Sequence, residues 1–252
     1  MTEDKNNLKI EGLRADVREA IKSFAEKLKT ELGENLLSIT VVGSSLTEDF
    51  RQGQSDINIV LVLGEQNLNS LKIIASMARS MSKRKLTAPL LMTPGYIERS
   101  CDVFGIEFLD FQLTHKTIFG IDPFESLRFT KRDVRLQCER ELKATLIRLR
   151  QGYISAAGNK KLVRDILIAT ASGLVPLLRA MLWLKNIERP GTNEAVFTKA
   201  AKEFSAGMDR IVTARKWRHE KMRLQESEIT AAFESIYTAV EKLADIVDKL
   251  EV

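Results

Sequence analysis

The sequence predicts an α+β chain, a mixed β-sheet domain over residues 1–125 followed by an all-α helical bundle over residues 126–252. Three observations predict it. Two apolar, β-branched runs, residues 38–42 and 57–63, are bounded by polar and turn-forming residues, as neighbouring strands are. Strand-like patterning stops after Pro123. From Lys131 onward, apolar residues recur at helical spacing to the end of the chain. At 252 residues the chain has the length of one large domain or two small ones, and the change of period favours two.

The elements follow in order. Residues 8–32 carry Leu13, Val17, Ile21, Phe24 and Leu28 at helical spacing, and Gly33 is a stop signal. Residues 36–42 form the first strand and Gly43-Ser44-Ser45 a turn. Residues 46–54 read as a short helix and loop, and residues 57–63 as the second strand. A helix is expected over residues 68–83 and a short third strand over 88–92. Thr93 as N-cap and Pro94 at the first position then start another helix. The apolar run 103–113 reads as a fourth, long strand, on which Glu107 and Asp110 have opposite parity and project to opposite faces. Residues 115–122 close the domain. Helices are expected over 133–153, 161–185, 194–204, 208–216 and 226–250. The second of these is apolar nearly all round, as the central helix of a bundle is. Its stretch 166–184 has spanning length, but Ser172, Gly173, Pro176 and Arg179 interrupt it, so a buried helix and no membrane partner are expected.

Composition narrows the functional classes. A net charge of +5 suits a polyanionic substrate such as a nucleotide, although a solvated surface explains it more simply. With 6% aromatic residues and no interleaved basic–aromatic stripe, the chain does not read as a nucleic-acid binder. Cys101 and Cys138 are far apart and outside any CxxC, which suggests free thiols in a reducing compartment. His115 and His219 are isolated, so no zinc motif can be assembled. The polar first residues, 1–7, argue against a signal peptide, and a cytoplasmic protein is expected.

Chemistry concentrates between the first two strands. An apolar strand ending in Gly43 and Ser44 offers backbone N–H groups and a small hydroxyl to a closely approaching anion. A helix starting there would add its positive end. Asp56 stands at the mouth of the second strand. Positions i and i+2 share a strand face, so Asp56 and Asn58 are expected to project together towards the turn.

Val41-Val42-Gly43-Ser44, a gap, and then Ser55-Asp56-Ile57-Asn58 resemble the signature of the polymerase-beta-like nucleotidyltransferase superfamily. Within it, the architecture is similar to that of the bacterial enzymes that adenylylate antibiotics. The run 101–153 resembles bacterial proteins known only as predicted nucleotidyltransferases. The resemblance implies metal-dependent transfer of a nucleoside monophosphate from ATP or another NTP to a small-molecule or protein acceptor. It assigns Gly43, Ser44 and Ser45 to the nucleotide and Asp56, with the position of Asn58, to Mg2+ or Mn2+. It places a third acid, a metal ligand or the general base, on a later strand, which Glu107 fits best, with Asp110 as the fallback; catalysis would then rest on Asp56 and Glu107. The family has a second acid where this chain has Asn58, and the alternative is therefore a weak or inactive member that binds nucleotide or a partner. In antibiotic-modifying relatives the bundle supplies the acceptor pocket, acidic for aminoglycosides. Residues 133–150 mix Glu139 and Glu141 with many arginines, which argues against an aminoglycoside acceptor. A homodimer is compatible with this reading.

Overall fold

A computed structural model describes residues 7–218 and 224–252; residues 1–6 and His219 lie outside the described residues. The chain divides into two compact units. One comprises the described residues up to Cys101 together with Phe108–Arg128, and the other comprises Asp102–Glu107 together with Phe129–Val252.

The first unit is built on a four-stranded sheet in the order β3-β2-β1-β4. The central strand β1 (Leu36–Val42) runs antiparallel to both β2 (Asn58–Leu63) and β4 (His115–Gly120), and β3 (Leu90–Met92) lies parallel to β2. Side chains alternate across a strand. Ile39 and Val41 of β1, with Ile59, Leu61 and Leu63 of β2, fall in one core cluster with Val17, Ile21, Phe24 and Leu28 of helix α1 (Ala15–Leu32). Burying each such side chain contributes about 1.5–3 kcal/mol. The opposite face carries Thr40, Val42, Asn58, Val60, His115 and Thr117, as the strand register requires. The hydroxyls of Thr40 and Thr117 meet there at 2.9 Å.

Between β2 and β3 lie α2 (Leu68–Ser76) and α3 (Ala78–Lys83), followed after β3 by α4 (Pro94–Arg99). Asn67 caps α2 by accepting from the Ser70 N–H, and Thr93 caps α4 by accepting from the Tyr96 N–H, with Pro94 in the first turn. The helix expected over 68–83 is thus two helices. At the joint, the Met77 N–H bonds to the Ile74 carbonyl three residues back, and Ser76 Oγ donates to the Ile73 carbonyl. Both contacts tighten or compete with the regular ladder.

Two further expectations are corrected. The first helix starts at Ala15 and not at residue 8, because the preceding segment turns at Glu11 and Gly12 and its Lys9 N–H donates to the Ile118 carbonyl at 2.8 Å. The run 103–113 is not a strand: Gly105–Leu113 is helix α5. As a strand it would have put one carboxylate on each face. As a helix it buries Ile106, Phe108 and Leu109 and exposes Glu107. Short apolar runs rich in Phe and Ile satisfy either period, and packing decides between them. Within the sheet unit, the rings of Phe108, Phe111 and Phe124 cluster with centroids 5.2–6.3 Å apart. Glu107 and Asp110, at i and i+3, are helical neighbours and do not oppose one another.

The second unit is all helical: α6 (Lys131–Ala156), α7 (Lys160–Leu184), α8 (Asn193–Phe204), α9 (Asp209–Lys216) and α10 (Glu226–Asp248). Thr130, Asn159 and the Gln225–Glu228 capping box fix the starts of α6, α7 and α10. Among the described residues, α7 is long and apolar enough to cross a membrane, and 56% of that window is buried inside the unit, as in a central bundle helix. Arg179 on α7 is buried, and its guanidinium donates to the carbonyls of Pro190 (3.0 Å) and Gly191 (2.6 Å), pinning the loop into α8. Replacing Arg179→Leu removes two charge-assisted bonds, so urea unfolding of the full chain should show a loss of about 2–3 kcal/mol. An unchanged midpoint would mean that the loop holds without them.

Candidate functional site

The candidate site is the end of the sheet where β1 stops. Gly43 has φ +78°, a conformation that side-chain-bearing residues rarely adopt, and it turns the chain sharply into a 3-10 turn, Gly43–Leu46. Its N–H is not available to a ligand, because it donates to the Thr114 carbonyl at 3.0 Å. The Ser44 carbonyl accepts from the Thr47 N–H (3.0 Å) and hydroxyl (3.2 Å), which closes the turn. Ser44 and Ser45 are thus the turn's remaining candidates for an anion contact. The Ser45 hydroxyl is buried and has no hydrogen-bond partner among the described residues. Such a group is costly unless something pairs with it.

Asn58 opens β2 directly opposite Val42. A Cβ placed on Gly43 would lie 3.7 Å from Asn58 Nδ2, so the amide nitrogen faces the turn. Its Oδ1 accepts a hydrogen bond from Thr87 Oγ1 at 3.0 Å. Thr87 is held there by backbone pairing with the start of β2: Ile57 N–H donates to the Lys85 carbonyl (2.7 Å) and Thr87 N–H to the Ile57 carbonyl (3.1 Å). On the other side of Val42, directly opposite it, stands His115 of β4.

Of the residues singled out from the sequence, Gly43 and Asn58 meet at this sheet end, with Ser44 and Ser45 in the same turn. Asp56 is exposed in the segment entering β2, two residues before the strand begins. Glu107 and Asp110 lie on α5 and not on a strand. Glu107 groups with the helical unit, where it accepts from Gln137 Nε2 at 2.7 Å. Asp110 groups with the sheet unit, and its backbone carbonyl accepts from the Thr114 N–H and hydroxyl. The two strands whose acid the resemblance calls for, β3 (Leu-Leu-Met) and β4 (His-Lys-Thr-Ile-Phe-Gly), contain no carboxylate. Thr87, His115 and Asp122 are the residues of this end that sequence reasoning did not bring together. Only the strand register shows His115 beside the turn.

Magnesium prefers carboxylate oxygens in near-octahedral geometry. Among the described residues no three His, Cys, Asp or Glu side chains gather in metal-binding range. The amide oxygen of Asn58, the atom that would ligate, is already bonded to Thr87. This donor set does not fit the two-ion site that the resemblance implies.

The helical unit holds a cavity of about 400 Å³. Glu107, Glu141, Thr145 and Arg148 supply its polar wall, and α7 supplies an apolar one with Ile166, Leu174 and Leu177. Arg148 donates to Thr145 Oγ1 (2.9 Å) and stands 3.6 Å from Glu141, so the wall carries both signs of charge. Cys138 lies buried nearby, and burial pushes its thiol far up from its ordinary range, with the charges of Glu107 and Glu141 adding to the effect. A thiol held protonated is a poor nucleophile. Iodoacetamide at pH 8 should therefore label half-buried Cys101 and spare Cys138 until the chain is unfolded, as read by peptide mass spectrometry. Equal labelling of both would show that the unit opens readily.

No protein-family profile and no curated protein sequence matches the chain. Among solved structures, spectinomycin adenyltransferase AAD(9) of Enterococcus faecialis, determined with ATP and spectinomycin, is similar to it. The TM-score is 0.56 at 13% identity, covering 88% of this chain and 98% of that one. At this identity the likeness speaks for the fold: a sheet unit with a Gly-Ser turn at its open end, followed by a long helical bundle, is a nucleotidyltransferase-like fold.

Proposed function

We propose that the chain binds a nucleoside triphosphate at the Gly43, Ser44 and Ser45 turn and transfers its nucleoside monophosphate weakly or not at all. One observation supports this reading: Asn58, at the position where the resemblance expects a second carboxylate, is a neutral amide whose oxygen already accepts a hydrogen bond from Thr87. In-line displacement at an α-phosphate depends on positioning and on neutralising the developing charge, which metal ions ordinarily do. The Gly43–Ser45 turn supports phosphate binding, whereas Asp56 is the one singled-out acid in the segment entering β2. The similar adenyltransferase was determined with ATP, which supports a nucleotide as the ligand class.

A second reading, slow transfer to a small-molecule acceptor, is favoured by the mixed-charge cavity of the helical unit, since a pure nucleotide binder has no need of it. In that reading Asp56 carries the chemistry at the sheet end and the acceptor is zwitterionic. Calorimetric titration with ATP in magnesium buffer separates the readings when paired with a pyrophosphate-release assay. Spectinomycin and a small-molecule extract of bacterial cells serve as acceptor sources. The proposal expects ATP to bind and pyrophosphate to stay at background. Absence of any ATP heat contradicts the binding half, and steady pyrophosphate release replaces the first reading with the second.

A further inference from the structure

His115 plays no part in the reading above, yet the strand register sets it directly beside Val42, the residue that leads into the turn. We propose that His115, oriented by Asp122, is a phosphate ligand of the sheet-end site, and that with Asn58 it lets the site hold a nucleotide phosphate without a divalent metal. The inference rests on the nucleotide-binding reading and names how this chain achieves it.

Val42 pairs with Asn58 on one side and with His115 on the other. Directly opposed residues of antiparallel strands project to the same face, so Asn58 and His115 flank the residue that leads into Gly43. The contact between Thr40 and Thr117, two residues further into both strands, agrees with that shared face. With two strand spacings between them, the Cα atoms of Asn58 and His115 stand about 10 Å apart, with buried Val42 between them, so a phosphate reaches both from the open side of the turn. The residue before His115 is tied to the turn itself, because the Thr114 carbonyl accepts the Gly43 N–H.

The imidazole is held in place. His115 Nε2 bonds Asp122 Oδ2 at 2.7 Å, and the other carboxylate oxygen accepts the N–H groups of Phe124 (2.9 Å) and Glu125 (3.3 Å). The Phe124 ring packs edge-on against the imidazole at 5.7 Å between centroids. With Nε2–H donated to Asp122, Nδ1 remains, and it has no hydrogen-bond partner among the described residues. In the neutral ring this nitrogen carries a lone pair; only a second proton, taken up together with the phosphate, makes it an N–H donor to a phosphate oxygen. Across the turn, the Asn58 amide presents Nδ2–H because Thr87 occupies its oxygen. Buried, unpaired Ser45 Oγ supplies a third donor within the same turn. With the second proton on the ring all three are donors to an anion.

The test uses the full chain in EDTA, with pyrophosphate and then ATP as probes. The sequence contains two histidines, so imidazole proton NMR gives two resolvable sets of signals. The proposal expects pyrophosphate to shift one set, the one missing from His115→Gln; if that variant does not fold, His219→Gln makes the assignment instead. ATP affinity in EDTA should fall about tenfold or more in His115→Gln and less in Asp122→Asn, where the ring is present but less well oriented. A shift confined to His219, or equal affinity of wild type and a folded His115→Gln, overturns the inference. ATP that binds only when magnesium is added also overturns it, while leaving the proposed function standing. ATP that binds under neither condition overturns both.

Discussion

Gly120→Ala should destabilise the sheet unit by at least about 2 kcal/mol, measured by denaturant unfolding of the full chain. Gly120 ends β4 with φ +76°, and a Cβ there would lie 1.8 Å from the Leu37 carbonyl oxygen and 3.0 Å from Ser38 Cα. The clash is with backbone, which has no rotamer by which to yield, so β4 must slide or lift from β1. The conformational penalty alone is about 1–3 kcal/mol for a residue with a side chain. Gly173→Ala supplies the opposite sign. It lies inside α7 with nothing within 4 Å of the added carbon, and alanine there should stabilise by about 0.5–1 kcal/mol. If the two variants changed stability alike, the register of β4 against β1, and with it the position of His115, would be in error.

Asn58→Asp should reverse the ionic preference of the site. The Thr87 hydroxyl can go on donating to the same oxygen, while a carboxylate oxygen takes the place of Nδ2 beside the turn. Manganese affinity is expected to rise about tenfold, equivalent to about 1.4 kcal/mol. ATP affinity in EDTA should fall by more than about tenfold, since two unit charges 4 Å apart repel by about 4 kcal/mol at an effective dielectric of 20. Asp56→Ala in the Asn58→Asp background should remove most of the gained metal binding. Equal manganese affinity in wild type and Asn58→Asp would mean that no ion approaches this position.

Much of the fold was legible because local and global signals agree. The β-branched runs became β1 and β2, Thr93 and Pro94 start α4 as their types dictate, and the helical half follows its periodicity almost residue for residue. Residues 103–113 misled because Phe and Ile carry strand propensity and the run is short, while burial of Ile106 and Leu109 on a helix was settled by packing. The meeting of Gly43 and Asn58 at one sheet end was readable because both share one strand–turn–strand segment. Thr87 reaches Asn58 only through pairing of a loop with Ile57, and His115 reaches the turn only through the β1–β4 register. Neither pairing leaves a mark at fixed sequence spacing. The loss of the Gly43 N–H to Thr114 was equally hidden, and it moves the expected anion contacts onto Ser44 and Ser45.

We propose that this sheet end holds nucleotide phosphate with protein donors in place of metal. The most direct measurement is the dissociation constant of ATP for the wild-type chain in EDTA and in manganese, by calorimetry on the same preparation. The account predicts that the two constants agree within about threefold, a difference of less than about 0.7 kcal/mol. Binding that appears only with manganese, or tightens by about a hundredfold or more on its addition, would contradict it and return the site to metal-dependent chemistry.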